Sequence, residues 1–223
     1  MGPEEKNLEQ KIDTLIDGDR IINFSDAVFA FAATLLILKI DLPQIPPELL
    51  ETQFLSELGK LWPAYAANFV SFLVIAYYWR VHHKLFILIK RYDNVVIWLN
   101  ILILIFVAFL PFPIDLFGNY PTLIPVIIFY TLSISIVGVL LFLLWLYASY
   151  QHRLIDSKLS HRVITYHTLS NLIAPSVFLV SIPLIFIDHL VAKISWVLVF
   201  ILLFLLNSFY KMKHTKSNDP VPE

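Results

Sequence analysis

The sequence contains no cysteine, which excludes disulfides, thiolate-bound metal and cysteine nucleophiles. Charge is scarce as well: Asp, Glu, Lys and Arg make up 15% of the 223 residues, where a soluble domain carries about 25%. The missing charge means that much of the exterior faces lipid rather than water. A formal net charge of −1 offers nothing to nucleic acid. Also absent are a His-Glu-x-x-His zinc motif, a Ser-centred nucleophile elbow and paired intramembrane carboxylates, so neither an enzyme nor a bound metal or cofactor is expected. No cleavable signal peptide precedes the first apolar stretch, and Lys6 stands where myristoylation needs Ser or Thr.

What the chain has in excess is apolar bulk, with 58% hydrophobic residues that include 18 Phe, 10 Tyr and 5 Trp. Six apolar stretches, near 21–40, 62–86, 94–117, 122–150, 163–187 and 190–210, are each long enough to cross the hydrocarbon core. At about 20 residues per span they use about 120, leaving no room for a sizeable extramembrane catalytic domain. Asp115 is the only charge between Val95 and Tyr150, so two spans turn at 115–121.

The basic residues orient these spans. Lys6, Lys11 and Arg20, then Arg80, Lys84, Lys90 and Arg91, then Arg153, Lys158 and Arg162, and finally Lys211, Lys213 and Lys216 fall on one side; only Lys39, Lys60 and Lys193 fall on the other. Positive charge stays inside, so both termini are expected to be cytoplasmic. The expected fold is an all-α integral membrane protein with six transmembrane helices, multi-pass in the cell (inner) membrane. Its parts are a cytoplasmic segment 1–19, a helical domain 20–211 and a tail 212–223. After Pro43, Pro46 and Pro47, the segment from Glu48 to Leu61 carries Leu49, Leu50, Phe54, Leu55 and Leu58 on one stripe, which predicts a short helix at the outer interface. Its acids Glu48, Glu51 and Glu57 either attract cations to an outer mouth or, more commonly for such residues, form an ordinary solvated face.

The first span breaks the rule that keeps polar groups out of lipid, since Arg20, Asn23, Ser25 and Asp26 lie in its cytoplasmic third. The topology brings Trp79, Arg80, His82 and His83 of the second span, and Asp93, Trp98 and Asn100 of the third, to the same depth, within about two turns or roughly 10 Å. Asp26, Ser25, Trp79, Asn100 and either His82 or His83 are expected to meet in one polar knot, each donor finding an acceptor. Such a knot is a clamp between helices rather than a catalytic site. At about 100° per residue, Phe31, Thr34, Leu35, Leu38 and Phe24 fall within about 100° of one another, while Asp26 falls on the far side. Ala27, Ala30, Ala32 and Ala33 keep the helix thin enough for close approach. Periodicity alone leaves the apolar stripe open between lipid contact, helix packing and a pore.

The string Arg20-Ile21-Ile22-Asn23-Phe24-Ser25-Asp26 resembles the signature of the transmembrane protein 175 family of potassium channels. Tyr78-Trp79-Arg80-Val81-His82-His83, Trp98-Leu99-Asn100 and Phe109-Leu110-Pro111-Phe112-Pro113 look like further landmarks of that family in the same order. The resemblance covers the first half of the chain and implies the prokaryotic type, a homotetramer of six-helix subunits whose first helices line a central cation pore. Its implied partners are further copies of itself, membrane lipid and permeant monovalent cations, potassium first. Carried over position by position, Phe31, Thr34, Leu35 and Leu38 are implied to face the pore; Phe31 departs from the smaller Ile or Leu usual there. The implied structural network comprises Arg20, Phe24, Ser25, Asp26, Trp79, His82, His83 and Asn100. With five glycines and no Thr-Val-Gly-Tyr-Gly string, the pore would lack a carbonyl filter. Rings of Phe31, Leu35 and Leu38 would close it by dewetting, and Thr34 hydroxyls would favour potassium modestly over sodium. The histidines are either satisfied structural groups or acid sensors that gain a proton at about pH 6 to 7. Two alternatives are a proton-coupled secondary transporter and a proton-permeable channel. A carrier predicts inverted repeats and a Gly/Pro-broken helix pair at midplane, and neither is found.

Overall fold

The computed structural model describes residues 2–39, 45, 46, 48 and 50–214. Position 40 of the first expected span, Pro43, Pro47 and Leu49 of the outer connection, and the tail from 215 onward lie outside the described residues. Among those described, the chain folds into α1 (Pro3–Leu35), α2 (Leu50–Lys60), α3 (Trp62–Leu88), α4 (Asn94–Phe109), α5 (Pro111–Asn119), α6 (Ile124–Ser149), α7 (His161–Ile185), α8 (His189–Ser195) and α9 (Leu198–His214). No strand occurs among the described residues, only an isolated antiparallel bridge between Ile89 and Ile155.

Local chemistry sets the ends of these helices. Asp93 caps α4 by accepting from the Val96 amide at 3.0 Å, and Asp188 caps α8 by accepting from the Leu190 amide at 2.6 Å. Proline breaks the third expected span in two. Pro111 has no N–H to continue the ladder, so α4 stops at Leu110, whose own amide is shared between the Phe106 and Val107 carbonyls. The sixth span is likewise divided, α8 and α9 being separated by a turn at Trp196 and Val197. The expected interfacial helix corresponds to α2, with Phe54 and Leu55 exposed.

The first helix starts earlier than expected. It runs without interruption from Pro3 through the segment assigned to a separate N-terminal stretch, 33 residues in all. At 1.5 Å per residue that is about 50 Å, against a hydrocarbon core of about 30 Å. Where it passes the loop before α4, a side chain at Gly18 would sit 2.7 Å from the Tyr92 ring, which is why a residue poor in helix propensity is placed there.

The core lies around α6, which packs against α3, α4, α5 and α7 and fully buries Ile134, Val137, Leu144 and Trp145. At Gly138 a Cβ would meet Pro175 of α7 at 3.1 Å, and the Tyr78 hydroxyl donates to the Ile134 carbonyl at 2.9 Å, so α3, α6 and α7 are locked at one level. Two helices ride on the outside of this core. α1 packs on α3 and α4, α9 packs on α7, and each leaves a long face uncovered.

Candidate functional site

Two helices, α3 and α4, hold α1 around Ser25 and Asp26. The Ser25 hydroxyl donates to the Ile21 carbonyl one turn back (2.8 Å) and accepts from Asn100 Nδ2 of α4 (3.0 Å). Because that amide nitrogen is thereby oriented, Asn100 Oδ1 is the acceptor that faces His82 Nε2 of α3 at 2.7 Å. His82 therefore carries a proton on Nε2. The result is a one-way chain of donors, His82 to Asn100 to Ser25 to the Ile21 carbonyl. His82 and Ser25 are fully buried and Asn100 is 3% exposed. His82 is also gripped by rings, stacked on Phe86 with centroids 4.3 Å apart and tilted against Phe29 at 5.3 Å.

The expected single knot is in fact two ties. Asp26 does not join the buried chain; its Oδ1 accepts from Trp79 Nε1 at 2.8 Å at the rim, where it stays partly exposed. His83 stacks on the Trp79 indole (5.6 Å, 26°) and does not reach Asn100. The reason is angular: adjacent residues on a helix diverge by about 100°, so Ser25 and Asp26, like His82 and His83, point to different partners. Two further members of the expected network stand outside it. Phe24 has no polar atom and is 60% exposed on the outward face; Arg20 is exposed and makes no side-chain bond among the described residues.

A third tie was not anticipated. Asn68 Nδ2 of α3 donates to the Leu36 carbonyl at 2.5 Å, where α1 has ended and its last carbonyls lack helical partners. The signal was available, since an amide inside an otherwise apolar span needs a partner. A second missed cluster fixes α4. Asp93 Oδ2 accepts from the Tyr147 hydroxyl of α6 at 2.6 Å, with Arg153 3.6 Å away and lying over the Tyr147 ring. Burial pushes the Asp93 carboxyl up, but the Tyr147 hydroxyl, the Val96 amide and the Arg153 charge outweigh it and hold the group below the usual carboxylate range.

Opposite these ties, α1 presents an uncovered apolar face. Phe31 is 63% exposed, Thr34, Ala27 and Ala30 are exposed, Leu35 sits half-buried at the edge of the stripe, and Leu38, in the 3-10 turn Ile37–Lys39 that follows α1, is 76% exposed. The Thr34 hydroxyl donates back to the Phe31 carbonyl at 2.9 Å, leaving its lone pairs outward. No group of three potential metal ligands occurs among the described residues.

Among the described residues, four helical stretches, 94–119, 124–152, 161–185 and 189–211, are long and apolar enough to cross a membrane. Together with polar side chains tied to one another inside the bundle, they define an all-helical, multi-pass membrane protein. Residues 20–111 match the family described as "Endosomal/lysosomal potassium channel TMEM175". A protein of Chamaesiphon minutus named a potassium channel is 35% identical over 173 residues, which cover 76% of this chain and 84% of that one. A crystal structure of a lysosomal potassium-selective channel TMEM175 homolog from the same organism superposes with a TM-score of 0.70 at 31% identity, covering 86% of this chain and 98% of that one. A chicken protein named an endosomal/lysosomal proton channel TMEM175 is 36% identical over 107 residues, 46% of this chain but only 21% of its own length. The chain belongs to the TMEM175 family of ion channels.

Proposed function

We propose that the chain is a potassium channel, modestly selective over sodium, that assembles as a homotetramer with the open face of α1 turned to a shared axis. Each subunit crosses the inner membrane six times with both termini in the cytoplasm, and Phe31, Leu35 and Leu38 form the constriction. The observation that carries this reading is the two-sidedness of α1. Among the described residues, its side-chain ties to other helices, through Ser25 and Asp26, and that of the Leu36 carbonyl at its end go to α3 and α4, and its other side is a bare stripe of Phe31 and Thr34 continued by Leu38. A helix held from behind in this way is built to present that stripe at a fixed angle. Four such stripes would enclose a channel narrow enough to dewet when closed, and Thr34 would supply hydroxyl oxygens between the apolar rings to replace part of an ion's water shell.

The test is flux from proteoliposomes loaded with potassium, followed at channel rates, with the reversal potential measured in mixed potassium and sodium. Slow, saturable flux would point to a carrier and overturn the proposal. A second reading, proton permeation, draws support from the name carried by the chicken relative. It predicts a reversal potential that follows the pH gradient instead of the potassium gradient.

A further inference from the structure

Two cavities run end to end along the flank where α3, α7 and α9 meet. One, of about 320 Å³, is lined by Arg80 and Lys84 of α3 and by His167 and Asn171 of α7. The other, of about 560 Å³, is walled by Val74, Phe178, Trp196 and Val199. Tyr77 and Phe200 line both, so the two are chambers of one groove.

The first chamber holds donors without acceptors. Arg80 and Lys84 stand one helical turn apart, a spacing at which like charges repel, and among the described residues neither is paired with a carboxylate. Asn171 is 7% exposed, and its Nδ2 has no hydrogen-bond partner. A buried donor left empty is costly. A phosphate group cancels the repulsion of the two cations and supplies oxygens for all three residues. The second chamber offers apolar side chains and takes hydrocarbon. A ligand that fills both has an anionic head and a greasy tail, and the cationic end is the end at which the basic residues mark the cytoplasmic side.

We propose that this groove binds an anionic phospholipid of the inner leaflet, its phosphodiester held by Arg80, Lys84 and Asn171 and one acyl chain lying in the apolar chamber. The assignment of leaflet rests on the orientation proposed above; the binding does not depend on ion conduction.

Native mass spectrometry of the full chain in detergent, titrated with phosphatidylglycerol or phosphatidylcholine, tests this. The wild type should retain phosphatidylglycerol preferentially. Losing both cations in the R80Q/K84Q double variant should weaken that retention about thirty-fold, at about tenfold per 1.4 kcal/mol and about 1 kcal/mol per basic residue, and weaken phosphatidylcholine less, because its choline already offsets the phosphodiester charge. Asn171→Asp gives a readout that a merely structural role would not produce: its carboxylate should repel the lipid yet pair with the two cations, raising the melting temperature in lipid-free detergent. If the double variant fails to fold, Asn171→Asp decides alone. Unchanged phosphatidylglycerol retention in either variant, or inorganic phosphate displacing the lipid completely, overturns the proposal. Potassium flux is measured on the same samples, so that intact lipid binding without flux would count against the channel and not against the groove.

Discussion

The buried donor chain makes a quantitative prediction at Asn100. Asn100→Leu keeps roughly the same volume but removes both functions of the amide. His82 Nε2–H, fully buried, loses the acceptor it holds at 2.7 Å, and Ser25 loses the donor at 3.0 Å while keeping its own bond to Ile21. The main cost is one orphaned imidazole N–H, about 1–3 kcal/mol in a protein interior. Hydrogen bonds between helices in a membrane average about 0.6 and reach about 1.7 kcal/mol, so a loss of about 1–2 kcal/mol is expected. The informative comparison is the double-mutant cycle with His82→Phe, because a Phe ring keeps the stacking on Phe86 and needs no partner. Each single variant strands one partner; the double strands neither, and should recover about 1 kcal/mol of the summed losses. Unfolding in mixed micelles, followed by helical circular dichroism and fitted for each of the four proteins, measures this. Strict additivity would mean that the 2.7 Å contact between α3 and α4 contributes nothing specific.

Asp26→Ala removes the acceptor of Trp79 and should abolish potassium flux or tetramer formation, whereas Asp26→Asn keeps an oxygen for the indole and should retain most of both; equal behaviour of the two variants in flux and size-exclusion assays would refute a hydrogen-bonding role. Thr34→Val should shift the reversal potential in mixed potassium and sodium toward no preference, and an unchanged value would remove Thr34 from selectivity. Leu38→Asn should hydrate the constriction and raise resting flux about tenfold or more, by lowering the dewetting barrier. For Asp93, whose carboxyl is held below its ordinary value, the stabilising contribution is fully present above the unfolded pKa of about 3.9 and is lost as pH falls through the lower folded value. Acid unfolding should therefore steepen below about pH 4 in the wild type, and Asp93→Asn should flatten that limb; parallel curves would refute the assignment.

Much of α1 was legible because one helical period and a few polar residues define it. Phe31, Thr34 and Leu38 emerge on one face from spacing alone, and Ser25 with Asn100 follows from the need of a polar group in lipid for a partner. The choice between His82 and His83 was not legible. Both are histidines at one depth, and which of them faces Asn100 depends on the rotation of α3, which the ring contact of His82 with Phe29 of α1 helps to fix. The long start of α1 was hidden for the opposite reason. Residues 3–19 are rich in charge and carry no apolar run, so hydropathy marked only where the greasy part begins. The break at Leu110 was obscured because Pro111 and Pro113 sit inside a stretch with almost no charge, where composition signals a span and proline signals its interruption at once.

The side-chain bonds that anchor α1 are drawn from a short block: Asn68, Trp79 and Asn100 supply the partners, His82 orients Asn100, and the family match ends soon after, at residue 111. Beyond that point the polar ties lie elsewhere, from Trp145 to Thr168 and from Arg162 to the Tyr210 carbonyl, and α9 is mostly bare. Such an arrangement separates inheritance into two regimes. The leading block must travel as a set, since altering one member strands another, whereas the bare face of α9 is free to drift in identity as long as its bulk is kept.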